Sequence, residues 1–305
     1  MSPNNGYIIS TAIPLVGVNE TQIRPLSELD YGFFRLQIGG GSQFVMLSLG
    51  DCQVVRSFIR SGAAGFEPFS LSIWTTLVRH CELAVDIGSY TGVYSLVSVA
   101  ENPGVRVVAF EASPITFGRL VTNILANRFD GHIAPLNLAA SNRSGHLDLT
   151  LHGGIYTMSS GETLEPTGQH RAYMTRRVDT VTADEILDNW RNFFPYELTL
   201  PLEDRRVGLI KIDVEGHEKS TLSGLKRIIS RDHPTMLIEV LVESDLGEIV
   251  NSLSGYDAFW VDERGSLQRN RSQPAFNALF VHCTKLAEVR AALAGLQVDL
   301  PDSLT

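Results

Sequence analysis

Residues 83–111, LAVDIGSYTGVYSLVSVAENPGVRVVAFE, read as strand, glycine turn, helix, second strand and terminal acid. Leu83 to Ile87 form a short, mostly apolar run that ends in a turn. Asp86, Gly88 and Gly92 mark that turn, with Ser89 and Tyr90 between the glycines. Val93 to Ala100 is apolar and unbroken, as in a packed helix, and Asn102, Pro103 and Gly104 stop it. Arg106 to Phe110 is the next strand, and Glu111 ends it, followed by Ala112. A glycine at a strand end lets backbone approach a ligand, and a helix start offers free N–H groups to an anion. A carboxylate ending the adjacent strand can accept hydrogen bonds from both ribose hydroxyls. The ligand expected here has a ribose and a negatively charged tail.

A dinucleotide and S-adenosylmethionine both meet that description. The dinucleotide fingerprint wants G-x-G-x-x-G, and here Tyr90 stands where the middle glycine belongs. A pyrophosphate would meet the Tyr90 side-chain position, whereas an amino-acid carboxylate is smaller. An ordinary βαβ turn with no ligand is the plain alternative.

Size and composition narrow the classes. A chain of 305 residues, 44% apolar and 19% charged, is that of a globular protein with a substantial core. A formal net charge of −9 and the lack of any long Lys/Arg cluster argue against a nucleic-acid partner. The three cysteines, Cys52, Cys81 and Cys283, lack metal-like spacing and read as buried free thiols of a reducing compartment. The N-terminus MSPNNGYIIS shows no signal peptide and no apolar run reaches membrane length, so a cytoplasmic protein without a membrane partner is expected.

Along the chain, Phe33–Ile38 and Phe44–Leu49 flank a Gly-Gly-Gly-Ser turn and predict a hairpin. Residues 52–80 read as helical, broken at Ser61–Gly65 and Pro68. Strands are then expected at 83–88, 106–111, 133–140, 207–214, 235–240, 257–262 and 278–283. Helices are expected near 92–101, 114–127, 180–189, 216–230 and 243–253. This alternation predicts an α/β, doubly wound, Rossmann-like sheet, mostly parallel, closed by an antiparallel hairpin on one edge. The expected division is a β-hairpin and helical extension (1–75) acting as cap or homodimer element, a ligand-binding domain (76–285), and a C-terminal helix or tail (286–305). Residues 152–176 and 190–206 carry no period and read as lids, binding loops or disorder; Trp190, Phe193, Phe194 and Tyr196 give the second a packed or substrate-facing character.

A second chemical cluster is VGLIKIDVEGHEKSTLSGL, residues 207–225. Its apolar positions make a buried strand, with Lys211 and Asp213 on one face and Glu215 following. Charges there are costly unless paired, so Lys211 is expected to neutralise Asp213 or Asp86. Gly216 breaks the strand where ligands sit in doubly wound sheets. His217 is the first candidate for a base, oriented by Asp213 or Glu215. The same Asp and Glu oxygens could hold a divalent cation, although no metal site is predicted. Glu239, ending LIEV, is a further strand-end carboxylate.

VDIGSYTGVYS, VVAFEASP, LNLAASNRSGHLDL and LIKIDVEGHEKSTLSG, in that order, resemble the FkbM family of S-adenosylmethionine-dependent methyltransferases. GFEP (Gly65–Pro68) and FNALFV (Phe276–Val281) extend the resemblance. It implies a class I methyltransferase fold, S-adenosylmethionine as cofactor, and O-methylation of a hydroxyl on a sugar, polyketide or similar small molecule. It further implies that Asp86, Gly88, Ser89, Tyr90 and Gly92 surround the methionine end. Glu111 and Ala112 would take the ribose, Ala139, Ala140 and Ser141 the adenine, and Asp213 and Glu215 the vicinity of the methyl group. Three rivals stay open: an NAD-dependent oxidoreductase, a metal-dependent transferase of the same fold, and a non-catalytic nucleoside-binding module.

Overall fold

The structure, a computed structural model, describes residues 31–38, 41–151, 158, 162–164, 174–188, 206–241, 243–269 and 277–296. The described residues open with an antiparallel hairpin, β1 (Tyr31–Gln37) and β2 (Gln43–Leu49), followed by α1 (Gln53–Ser61) and α2 (Pro68–Val78). The unit expected from the opening motif follows as β3 (Leu83–Ile87), α3 (Val93–Glu101) and β4 (Arg106–Phe110). Next come α4 (Pro114–Ala126), β5 (Ile133–Leu136), β6 (Ala139–Ala140), β7 (Gly145–Leu151) and β8 (Met174–Val181). Then α5 (Ala183–Asp188), β9 (Val207–Ile212), α6 (Glu218–Ser223), α7 (Lys226–Asp232) and β10 (Thr235–Glu239) complete the second half. The chain ends in α8 (Glu243–Ser252), β11 (Tyr256–Asp262), β12 (Ser266–Gln268), β13 (Asn277–His282) and α9 (Leu286–Leu293).

An eight-stranded sheet in the order β12-β11-β13-β10-β9-β3-β4-β5 forms the centre. The pairs from β10 to β5 are parallel, and β13 runs antiparallel to both β10 and β11. This is an α/β doubly wound architecture. Strand order reverses between β3 and β9, so their carboxyl ends frame the crevice where ligands bind in such sheets. Leu83, Val85 and Ile87 pack into the core on one face with Leu222, Ile228 and Ile249 of α6, α7 and α8. The other face packs Ala84 with Trp74, Leu96 and Leu120, and the same core takes Met46 of the hairpin and Val289 of α9.

Several expectations need correction. The strand expected over 133–140 is two: Asn137 turns the chain by donating to Glu111 O (2.8 Å) and Ala112 O (3.1 Å), and Ala139–Ala140 join a separate sheet in the order β6-β8-β7. That sheet takes Met174–Val181 from positions expected to be irregular or helical. The helix expected over 216–230 divides at Gly224, which packs against Ser141 O too closely to admit a side chain. The antiparallel pairing expected at one edge holds, with β13 between β10 and β11 and β12 outermost. Cys52 and Cys81 are buried, but Cys283 is exposed. Most other positions of 152–176 and 190–206, including Trp190, Phe193, Phe194 and Tyr196, lie outside the described residues. Among the described residues no helix is long and apolar enough to cross a membrane.

Candidate active site

The first turn is built around Gly88, whose φ is +79°. Gly88 N and Ser89 N both donate to Phe110 O, at 3.0 and 2.9 Å, tying the turn to the end of β4. Ser89 Oγ donates back to Asp86 O (2.8 Å). Tyr90 takes a left-handed conformation (φ +48°), and its N–H donates to Glu111 Oε2 at 2.8 Å. Glu111 Oε1 accepts from Ser113 N, also at 2.8 Å. Burial pushes the Glu111 carboxyl up to about 8, against the two N–H donors that lower it. Asp86 lies deeper: it accepts from Ser95 N (3.1 Å) and Ser95 Oγ (2.6 Å), and burial raises it to about 6.

The carboxyl ends of β9 and β10 supply an acidic wall. Lys211 is 1% exposed, donates to Asn277 Oδ1 at 2.9 Å, and lies 3.1 Å from Asp213 Oδ2. Burial opposes its charge, but Asp213, Glu67 and Glu239 hold it well above the ordinary lysine value. The expected ion pair is therefore Lys211 with Asp213, while Asp86 turns to Ser95. Burial, reinforced by neighbouring Asp213, pushes Glu239 up to about 10. Glu67, just ahead of α2, accepts from Tyr94 Oη and from Asn277 Nδ2 (2.9 Å), and burial raises it too. Glu263 caps α2 by accepting from Phe69 N (2.8 Å) and Ser70 N (3.2 Å), which fixes the segment bearing Glu67.

A cavity of about 310 Å³ opens over these strand ends. Gly88, Tyr90, Glu111, Ala112, Ala139, Ala140, Asp213, Glu215 and Glu239 line it.

The sequence pattern of the Methyltransferase FkbM domain matches residues 86–258, more than half of the chain. The chain belongs to the FkbM methyltransferase family. Among its curated relatives are the 31-O-demethyl-FK506 methyltransferase FkbM of Streptomyces tacrolimicus and the methyltransferase sdnD of Sordaria araneosa. The first is 27% identical over 62% of this chain and 77% of its own length. The second is 27% identical over 52% and 65%. The hexuronic acid methyltransferase AglP of Haloferax volcanii is 25% identical over 55% of this chain and 60% of its own length. The matched stretches thus span less than two thirds of the latter two relatives. A solved FkbM methyltransferase from Methylobacillus flagellatus KT is 18% identical with a TM-score of 0.43, covering 68% of this chain and 48% of that one.

The family's cofactor is S-adenosylmethionine, and the residues present fit it. Glu111, at the end of β4, and the backbone of the Gly88 turn both line the cavity. Of the residues expected at the site, Asp86, Ser89, Gly92, Ser141 and His217 do not line the cavity. Asp86 and Ser89 act beneath it, holding the turn. His217 is 4% exposed, and its Nε2 lies 2.9 Å from Ser141 Oγ. Glu215 (φ +52°) and Gly216 (φ +101°) turn the chain so that His217 supports the Ser141 segment rather than facing the cavity. Glu67 and Glu162 also line the cavity but were not anticipated. The signal for Glu67 was an acid directly before a helix-opening proline in GFEP.

Oxygens of Asp213, Glu215 and Glu239 lie within 4.8 Å of one another. A divalent cation needs such oxygens, but the Lys211 ammonium already supplies the counter-charge at Asp213.

The raised carboxyls make the ligand-free protein alkali-sensitive. The folded state holds protons on Glu111 and Glu239 that unfolded glutamates release near 4.5. Where the folded chain binds more protons, stability falls as pH rises. His282, lowered by burial, acts in the opposite sense near its ordinary value of 6.5. From about pH 7 to about pH 9 the carboxyls dominate, and the melting temperature should fall by about 2–4 °C per kcal/mol lost. A calorimetric pH series checks this; a flat or rising melting temperature contradicts it.

Proposed function

We propose that this protein is an S-adenosylmethionine-dependent O-methyltransferase acting on a hydroxyl of a small molecule, a natural product or sugar. When bound, the cofactor supplies a methyl group on a positively charged sulfur, already activated for transfer. The chain's task is then to position the acceptor and remove its proton. One observation supports this reading above others: Glu111 and the carboxylates of Asp213, Glu215 and Glu239 line one cavity at the sheet's switch point. Asp213, Glu215 and Glu239 supply the proton acceptor, with His217 holding the Ser141 segment. The curated relatives, named for 31-O-demethyl-FK506 and a hexuronic acid, favour a small-molecule acceptor.

The test is calorimetric titration of EDTA-treated protein with S-adenosylhomocysteine, without and then with magnesium, followed by a methyl-transfer screen over sugars and polyketides. Micromolar binding and methyl ether formation are the expected results. Tighter binding with magnesium would favour a metal-dependent enzyme, and no binding would remove the cofactor assignment. Glu111→Ala should weaken binding by about 1–3 kcal/mol, the range for removing one partner of a buried hydrogen bond. Unchanged titration curves would refute the ribose role.

A further inference from the structure

The segment Gly65–Pro68 brings Phe66 and Glu67 to the cavity wall, together with Gln53 and Val54 of α1. Glu67 is left-handed there (φ +37°, ψ +55°), although a residue before proline is pushed toward extended backbone. Such strain persists only where surrounding contacts impose it, and it gathers at ligand sites. Here the contacts are plain. A Cβ on Gly65 would lie 2.0 Å from Ser57 O, so the segment rests directly on the α1 backbone. Asn277 Nδ2 donates to Glu67 Oε2 (2.9 Å) and to Ser70 Oγ (3.1 Å). Glu67 precedes α2 but makes no capping bond to it; Glu263 caps the helix instead. Both donors that hold Glu67, Tyr94 Oη and Asn277 Nδ2, meet the same oxygen, Oε2. Among the described residues Oε1 has no hydrogen-bond partner, and it is not sealed from solvent.

We infer that Phe66 and Glu67 are the acceptor-reading element of the site: a hydroxylated saturated ring lays one face on Phe66, and one of its hydroxyls bonds Glu67 Oε1. This rests on the transferase reading above and names the residues that choose its acceptor. A pyranose ring carries C–H groups on its faces and hydroxyls at its edge. An aromatic side chain beside a fixed carboxylate matches both, as in sites where an apolar wall carries a few placed polar groups. Phe66 is partly buried against the core, which fixes its ring as a wall. The same network sets Glu67 relative to the acidic wall. Asn277 Oδ1 accepts from Lys211 (2.9 Å), and Lys211 lies 3.1 Å from Asp213 Oδ2. A hydroxyl held at Oε1 is therefore fixed through three buried side chains to the carboxylates that receive the proton of another. Supporting Lys211 and Tyr94 needs only Oε2, so a purely structural role leaves Oε1 without a task.

The probes are methyl pyranosides of the common hexoses and their mono-deoxy analogues, ranked by saturation-transfer NMR on the full chain. At least one pyranoside should bind, with saturation strongest on the protons of one ring face, and Phe66→Ala should remove that bias. One of its mono-deoxy analogues should bind about fivefold or more weakly, the loss of one hydrogen bond to a fixed partner. In Glu67→Gln the two donors at Oε2 demand the amide oxygen, so the NH2 group replaces the free oxygen. The penalty for that one missing hydroxyl should then shrink by at least about threefold. A residue that only shaped the cavity would weaken every analogue alike. If Glu67→Gln does not fold, Glu67→Asp, which keeps the charge near Lys211 but withdraws the oxygen, should shrink the same penalty. No bound pyranoside, equal binding of all deoxy analogues, or a penalty unchanged in both variants overturns the assignment. The series is run with and without S-adenosylhomocysteine. A cofactor that fails to bind removes the transferase reading, while the hydroxyl penalty measured without it still judges Glu67.

Discussion

Replacing Lys211 by methionine should destabilise the protein by about 3–5 kcal/mol, the range for a buried ion pair broken on one side. The side chain is 1% exposed and lies 5.2 Å from the centre of the Tyr94 ring. Methionine fills much of the same volume, so the loss is electrostatic rather than a cavity effect. Asp213, Glu67 and Glu239 would face one another without the ammonium, and Asn277 Oδ1 would lose its donor. Protonation is the relief open to the carboxyls. The deficit should therefore shrink as pH falls, because neutral acids no longer need the cation. Urea unfolding at two pH values checks this, with the midpoint moving and the slope unchanged. Equal stability of Lys211→Met and wild type at neutral pH would mean that water reaches the cluster and screens it.

How far the sequence discloses this site follows from which contacts are local. Residues 83–111 were legible because strand period, glycine turn and helix stop lie within one βαβ unit. Lys211 and Asp213 were legible as a pair because two-residue spacing puts them on one face of a single strand. The sheet β6-β8-β7 was not foreseen, although GHLDLTL alternates with a strand's period. Its partner in the antiparallel pair is Met174–Val181, and that pairing joins segments well apart in the chain. The insertion of β13 between β10 and β11 is likewise a choice among neighbours, which hydrophobic period does not encode. Glu67 reaches the cavity because Glu263, far along the chain, caps α2 beneath it. His217 shows the converse error. Its position after a strand end pointed to the crevice, but left-handed backbone at Glu215 and Gly216 aims it at Ser141.

The backbone at Gly88 should be the least tolerant position in the site. A Cβ there would lie 1.7 Å from Asp213 O and 2.7 Å from Asp213 C, main-chain atoms that cannot rotate away. Relief requires the ends of β3 and β9 to separate, which breaks the bond from Asp213 N to Ile87 O (2.9 Å) and moves the acidic wall. Left-handed φ costs a non-glycine residue about 1–2 kcal/mol, and forced repacking adds about 1–3 kcal/mol. Gly88→Ala should therefore lose about 2–5 kcal/mol of stability and bind S-adenosylhomocysteine too weakly to titrate. Gly92 provides the contrast. It shares the left-handed conformation (φ +94°), but its Cβ would meet Leu120 Cδ1, the end of a side chain that can shift. Gly92→Ala should cost about 1–2 kcal/mol, mostly in backbone strain, and retain binding. Gly118, inside α4 with nothing within 4 Å, should instead gain about 0.5–1 kcal/mol as alanine. If thermal unfolding ranks Gly88→Ala with Gly92→Ala, the junction of β3 and β9 yields more readily than its backbone contacts imply. Retained cofactor binding in Gly88→Ala would then detach the close approach of these strands from ligand recognition.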